Sequence, residues 1–425
     1  MEVRRRPFNF VGFFAVAVLL CLSSNSSAAV DVYGFIAGQA IASQSTTSWN
    51  EGGFGRLDFG DSNKGNNQRD DTLAHGYAES RVVIDWKVND IVSATLHGSL
   101  RADDASSVSK DIGIVEAYIT YQVLNRPAAD VAISLGQRFF PTALEASDAL
   151  WESPYTLTYS TLNSWIGHEF RPLGVEVDYF QLVGNSGLNF AFNAFKGNDT
   201  AGAQLAWGGW RNSQRLSLFN EILPLPPLAS LQSTGPFWRQ RDEGSKPFSR
   251  DLDGRWGYAA MMEIIPNEDF HLTLSTINNR GDLYLYGEEY AWYTEFYIVG
   301  AQWTINPRWE VLGEYSSGNT LMGAYSNHVD ADFESAYALL SWHKQAQRVS
   351  VRIEKFQIDD RDGIGVNTDE DGHSATIAYF YQPNQWRWGV ELTRIDAKRI
   401  AAANSGYSAD TDGDQVTVEL RYNFD

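Results

Sequence analysis

The sequence predicts an all-β fold, a 16-stranded antiparallel transmembrane β-barrel with short periplasmic turns and long extracellular loops. Three observations predict it. Apolar and polar residues alternate with a two-residue period in segments from end to end, the mark of strands with one apolar face. The connections between those segments alternate strictly between short and long. Aromatic residues gather at both ends of the segments, with Val, Ile, Leu and Ala between them.

The first residues stand apart. Arg4, Arg5 and Arg6 precede an apolar run from Phe8 to Leu22, followed by small polar residues and Ser27-Ala28-Ala29. Basic head, short apolar middle and small-residue exit predict a signal peptide over 1–29, cut after Ala29. The run is too short for a membrane anchor. Cys21, the single cysteine, lies within it, so the barrel region 30–425 offers neither disulfides nor thiolate–metal sites.

Net charge is −20, and −22 once Glu2 and the three arginines are removed, which argues against nucleic acid as a partner. No later apolar run approaches the roughly 20 residues of a membrane helix. Aromatics make up 13% of the chain, too many for a disordered acidic protein.

In order, the strand segments are Val30-Ala42, Gly76-Val88, Ile91-Arg101, Ile114-Val123 and Val131-Phe140. Then follow Leu173-Leu182, Leu188-Lys196, Arg255-Ile265, Phe270-Asn279 and Trp292-Ile305. The last are Arg308-Asn319, Phe333-His343, Arg348-Ile358, Ser374-Tyr381, Gln385-Ile395 and Gln415-Phe424. Seven short turns, such as "ND" (89–90) and "NP" (306–307), interleave with eight longer loops, including 43–75, 141–172 and 197–254. Counting "QLAWGGWR" (204–211) as a strand would break this parity, so it belongs to the long loop 197–254. Local helix is expected there around Arg215-Leu223.

A soluble sandwich would also show alternation, with the apolar face as its core. The sorted connections and the two aromatic girdles favour a lipid-facing band instead. Trp86, Tyr121, Trp303, Trp309, Trp342, Tyr381, Trp386, Tyr422 and Phe424 lie near short turns or the C-terminus. Trp256, Tyr258, Trp292, Tyr293 and Phe333 lie near long loops. Because water cannot satisfy strand edges in hydrocarbon, the last strand must pair with the first.

The opposite faces then line a lumen. They carry Glu79, Arg81, Asp85, His97, Arg101, Glu116, Arg138, Glu176, Asp178, Glu263 and His271. They continue with Arg308, Glu310, Glu314, Arg352, Glu354, Arg387, Glu391, Glu419 and Arg421. Two readings stay open: facing charges set a transverse field across a wet pore, or they pair with neighbours and stiffen the wall. A barrel of 16 strands leaves an aqueous channel. Loop 141–172 is unusually apolar, with Leu150, Trp151, Tyr155, Leu157, Leu162 and Trp165, and is expected to fold inward onto the wall. Glu145, Asp148, Glu152, His168, Glu169 and Arg171 would then project into the pore. An outer lid is the alternative.

"IVEAYITYQ" (114–122), "ISLGQRFFP" (133–141), Glu145 and "RPLGVEV" (171–177) resemble the phosphate-selective porins. Gly136, Gln137, Arg138, Phe140, Pro141, Glu145, Arg171 and Gly174 follow that family's order. The resemblance implies an outer-membrane diffusion channel for small hydrophilic solutes or ions, a homotrimer, and a third loop narrowing the pore. Phosphate-selective members line their pores with Lys and Arg; this wall is acid-heavy.

"DTDGD" (410–414) spaces its acids as calcium loops do but has Arg421 where the closing glutamate belongs, and so reads as a solvated loop. Together with "DDRDG" (359–363) and "NTDEDGH" (367–373) it would face outer-membrane lipid and lipopolysaccharide, bridged by divalent cations. None of the seven histidines sits in a frame that would serve a nucleophile, so neither an enzyme nor a cofactor is expected. A plugged structural or receptor barrel is the alternative to a channel, with 197–254 as the plug. From the acid-heavy wall, a weak cation preference or none is expected. The reversal potential across a salt gradient in a planar bilayer checks this; a clear chloride preference contradicts it.

Overall fold

The computed structural model describes residues 29–61, 72–102, 110–146, 148–247, 251–324, 327–363 and 368–425. The signal peptide expected over 1–29 lies outside the described residues except for Ala29, which is the first residue of β1.

Sixteen strands form one closed sheet: β1 (Ala29–Ser45), β2 (Leu73–Lys87), β3 (Val92–Ala102), β4 (Ile112–Arg126), β5 (Ala129–Gln137), β6 (Leu173–Val183), β7 (Ser186–Lys196) and β8 (Gly257–Asn267). The second half is β9 (Phe270–Asn278), β10 (Trp292–Asn306), β11 (Trp309–Ala324), β12 (Asn327–Lys344), β13 (Gln347–Asp360), β14 (Glu370–Tyr381), β15 (Trp386–Arg399) and β16 (Gly413–Phe424). Each strand pairs antiparallel with its neighbours in sequence. β16 returns to β1, with Gly34 opposite Phe424 and Ser45 opposite Gly413. That ladder leaves no backbone edge exposed to hydrocarbon.

All the expected segments are strands, with altered ends. β11 reaches Ala324 and β12 begins at Asn327, so both strands extend into the loop expected over 320–332. Residues 204–211 are indeed not a strand: a short helix occupies Ala203–Gly208. The helix expected at 215–223 is absent. That stretch is irregular, with a turn at Phe219 and Asn220, and Arg101 and Arg171 take the Leu216 and Ser217 carbonyls that a helix would need.

The alternation changes sense part-way up the tall side of the barrel. Low on β13, Val349, Val351 and Ile353 point outward, while Ser350, Arg352 and Glu354 point inward. Above them the outward residues are Lys355 and Asp359, and the inward ones Phe356 and Ile358. β15 turns over between Leu392 and Arg394, with Ile395 and Ala397 inside. On β12, Asp330, Asp332 and Glu334 face out while Val329, Ala331 and Phe333 face in. Where the wall meets lipid its outside is apolar; where it stands above the bilayer it encloses an ordinary apolar core. Phe333 and Trp292 therefore belong to that core, not to the outer girdle where the sequence pattern put them. Trp256 and Tyr258 do face out there, as Trp86, Tyr121, Trp303, Trp309, Tyr381 and Trp386 do at the periplasmic end.

This boundary yields a depth-dependent prediction. Val418 lies outward in the apolar band, and Val418→Arg should destabilise the folded barrel by about 2–4 kcal/mol. His373→Arg, outward above the boundary, should cost under about 1 kcal/mol. Urea unfolding in vesicles, followed by the heat-modifiable gel shift, measures both; equal costs would contradict the assigned depth.

Candidate functional site

The segment 138–172 enters the barrel between β5 and β6. Gly136 and Gly174 face each other across those strands. A Cβ on Gly136 would strike the Ala117 carbonyl, and one on Gly174 would strike Asn193 Oδ1 and the Ala194 carbonyl. With φ of 144°, Gly136 also turns the chain in a way that favours glycine. Inside, the segment forms the helix α1 (Thr161–Glu169), capped by Ser160 accepting from Asn163 N–H. All nine of its residues are buried. Trp165 lies in an aromatic cluster with Phe170, Trp210, Phe296 and Phe333, at centroid distances of 4.7–5.7 Å.

Backbone donors of this inserted chain that it does not bond itself need other partners. Wall carboxylates supply several of them. Glu116 on β4 accepts from Phe139 N–H at 2.7 Å. Glu314 on β11 accepts from Leu144 N–H at 3.0 Å and Asn163 Nδ2 at 2.8 Å. Glu354 on β13 accepts from Thr161 N–H at 2.6 Å and Asn212 Nδ2 at 2.8 Å. Glu391 on β15 accepts from Leu157 and Thr158 N–H at 2.5 and 3.1 Å. Arg352 bonds Glu145 and donates to the Thr158 and Tyr159 carbonyls at 2.7 and 3.0 Å.

A second segment, 209–219, crosses the lumen above. Arg81 donates to the Gln214 carbonyl at 2.9 Å and Arg101 to that of Leu216 at 3.1 Å. On the far side Asn212 meets Glu354 and Ser374. Asp58, from the segment after β1, accepts from Gln214 N–H at 2.8 Å.

Almost every charge anticipated for the pore has a protein partner. Arg81 pairs with Glu79 at 2.9 Å, Arg101 with Glu221 at 3.0 Å, and Arg138 with Glu176 and Asp178 at 3.0 and 3.3 Å. Arg387 meets Glu419 at 2.8 Å, and Arg421 Nη1 meets Glu152 at 2.6 Å. His97 contacts Glu116 at 3.3 Å. Of the two sequence readings, pairing prevails over a free transverse field through most of the barrel. Glu145, His168, Glu169 and Arg171 are fully buried, not exposed to open water. Arg171 stacks on Phe139 at 4.6 Å. Burial beside Arg211, Arg215, Arg171 and Arg101 holds His168 neutral, well below its usual pKa. Burial pushes Glu169 up to about 7, against hydrogen bonds from Trp165, Gln204 and Gly202. Arg308 lies exposed in the turn after β10, not on the lumen wall.

Space remains at the periplasmic end. A cavity of about 390 Å³ is lined by Asp148, Glu152, Ser153 and Pro154 of the inserted segment and by His343, Arg348, Phe380, Arg387 and Arg421 of the wall. Past Glu152, Ser153 and Arg387 lies a much narrower space of about 20 Å³, lined by Glu79, Arg81, Tyr159, Gln214 and Glu419. Asp148, exposed at the mouth, is raised to about 6 by partial burial and by the neighbouring Glu152 charge. Arg348 was missed from sequence, although it shares the inward parity of Arg352 and Glu354 and so was findable. Asn212, Gln214 and Tyr159 had no such signal, because irregular chain has no period.

No family model matches the sequence, and no curated protein does. Solved structures do. The outer membrane channel DcaP of Acinetobacter baumannii superposes with a TM-score of 0.54 and 14% identity, over 95% of this chain and 99% of that one. OmpT of Vibrio cholerae, in its trimer form, gives 0.51 and 11%, over 94% and 100%. The fold is that of the outer-membrane porins. An anion-selective porin from Comamonas acidovorans gives 0.50 and 10%, over 94% and 100%.

The Glu145–Arg352 pair ties the inserted segment to the wall. Glu145→Gln should cost about 1–3 kcal/mol, because Arg352 loses one charged partner and keeps Glu354 at 2.9 Å. The urea midpoint of the gel-shift transition measures it; an unchanged midpoint would show that the tie is dispensable.

Proposed function

We propose that the protein is a passive diffusion channel of the Gram-negative outer membrane, admitting small hydrophilic solutes or ions with little selectivity or a weak cation preference. The observation that carries this reading is the polar space between residues 148–159 and the wall of β1, β2 and β12 to β16. Its lining holds Arg81, Arg348, Arg387 and Arg421 against Glu79, Asp148, Glu152 and Glu419, a balance that favours neither ion sign. The acid excess noted in the sequence is largely spent on backbone N–H groups and on arginines. That supports little selectivity rather than a strong cation filter, and it gives the anion selectivity implied by the phosphate-selective resemblance no row of free guanidiniums. Residues 141–172 are the constriction, export is directed by 1–29, and assembly is as a homotrimer embedded in lipid and lipopolysaccharide.

A second reading, the plugged barrel, draws on the segment 209–219, which lies across the lumen with wall bonds on both sides. Purified protein in a planar bilayer separates the two: a channel gives steady ohmic steps, a plugged barrel none. Glu152→Ala, which releases Arg421 and widens the space between cavity and inner pocket, should give larger steps than the unaltered protein. Silence from both proteins would retire the channel reading.

A further inference from the structure

The periplasmic cavity holds charges of both signs with bonding capacity to spare beside open space. Arg348 engages Glu310 at 2.8 Å and Ser341 at 3.0 Å through Nη1 alone. Arg387 engages Glu419 through Nε and Nη2. Among the described residues, Arg348 Nε and Nη2 and Arg387 Nη1 have no acceptor. Asp148 accepts from Glu152 N–H through Oδ1, and its Oδ2 is likewise unbonded among the described residues. The two guanidiniums belong to the wall and the carboxylate to the inserted segment. Phe380, with the Arg387 guanidinium 4.5 Å over its ring, and Pro154 add apolar surface. At about 390 Å³ the cavity falls within the size range of small-molecule sites, roughly 300–1,000 Å³.

We propose that this vestibule is a recognition site for small zwitterions of the α-amino acid class, the carboxylate on Arg348 and Arg387 and the ammonium on Asp148. A guanidinium matches a carboxylate through paired N–H donors, which a point charge does not. A dianion would set its second charge against Asp148 and Glu152, and a simple amine would leave both guanidiniums unanswered. Only a solute carrying both charges answers both sides. The inference deepens the channel reading by naming a solute class, but binding does not require conduction.

The test is calorimetric titration of the detergent-solubilised full barrel with L-norvaline, pentanoate and butylamine. These share a hydrocarbon scale and differ in which charges they carry. The titrations run at mildly alkaline pH, above the value of about 6 to which Asp148 is raised, so that it is ionised. L-Norvaline should bind saturably, and each single-charge analogue roughly tenfold more weakly, as expected when one charge-assisted contact is lost. Arg348→Gln should weaken norvaline and pentanoate but not butylamine; Asp148→Asn should weaken norvaline and butylamine but not pentanoate. Pentanoate binding as tightly as norvaline, no saturable binding, or norvaline affinity unmoved by both substitutions would overturn the proposal. Bilayer steps without binding would fail the site and keep the channel; binding without steps would do the reverse.

Discussion

Inside a membrane barrel, an irregular chain must find partners for its backbone N–H groups, and here wall carboxylates provide those that the chain itself does not reach. Glu116, Glu314, Glu354 and Glu391 stand on four different strands and together hold residues 139–161. Leaving such donors unpaired would cost about 1–3 kcal/mol each. Taking these carboxylates out of water without partners would cost more. Each therefore makes the other tolerable. The placement of α1, the course of segment 209–219 and the position of the remaining open space all follow from this exchange.

The strands were legible because a sheet imposes one rule at every position. Sixteen segments, their parity, the inward faces and the pairing of the last strand with the first all come from that rule. It misled where the environment outside the wall changed. Phe333 and Trp292 carry the right period and sit near loops, so they read as girdle residues. The period alone does not reveal that the wall has left the lipid. The outward charges Asp330, Asp332, Lys355 and Arg394 are the signal that does.

The candidate site was legible in composition and not in geometry. Glu145, Asp148, Glu152 and Arg421 were singled out; the first three lie on the inserted segment and Arg421 on β16. Which of them meet water depends on contacts between residues far apart in sequence, such as Glu145 with Arg352 and Glu152 with Arg421. The motif that resembles the phosphate-selective porins serves the same architecture. Gly136 and Gly174 open the entry, Gln137 donates to the Arg171 carbonyl, and Arg171 lies on Phe139. None of these residues lines the open space. The motif describes how a loop is set into a barrel, not what passes through it.

The reversal of polarity on the tall side bears on how the molecule reaches its folded state. The outward rows with Lys355, Asp359, Arg394 and Asp332 are at home in water once the barrel is complete. A barrel inserted from the periplasm must first carry those rows across the hydrocarbon. Charged side chains at the bilayer centre cost about 2–4 kcal/mol apiece for the basic ones. The burden falls on the crossing and not on the finished structure. A stable product and a slow unaided entry thus share one cause, and the height of the wall sets a kinetic toll that assembly machinery, or a locally thinned bilayer, would relieve.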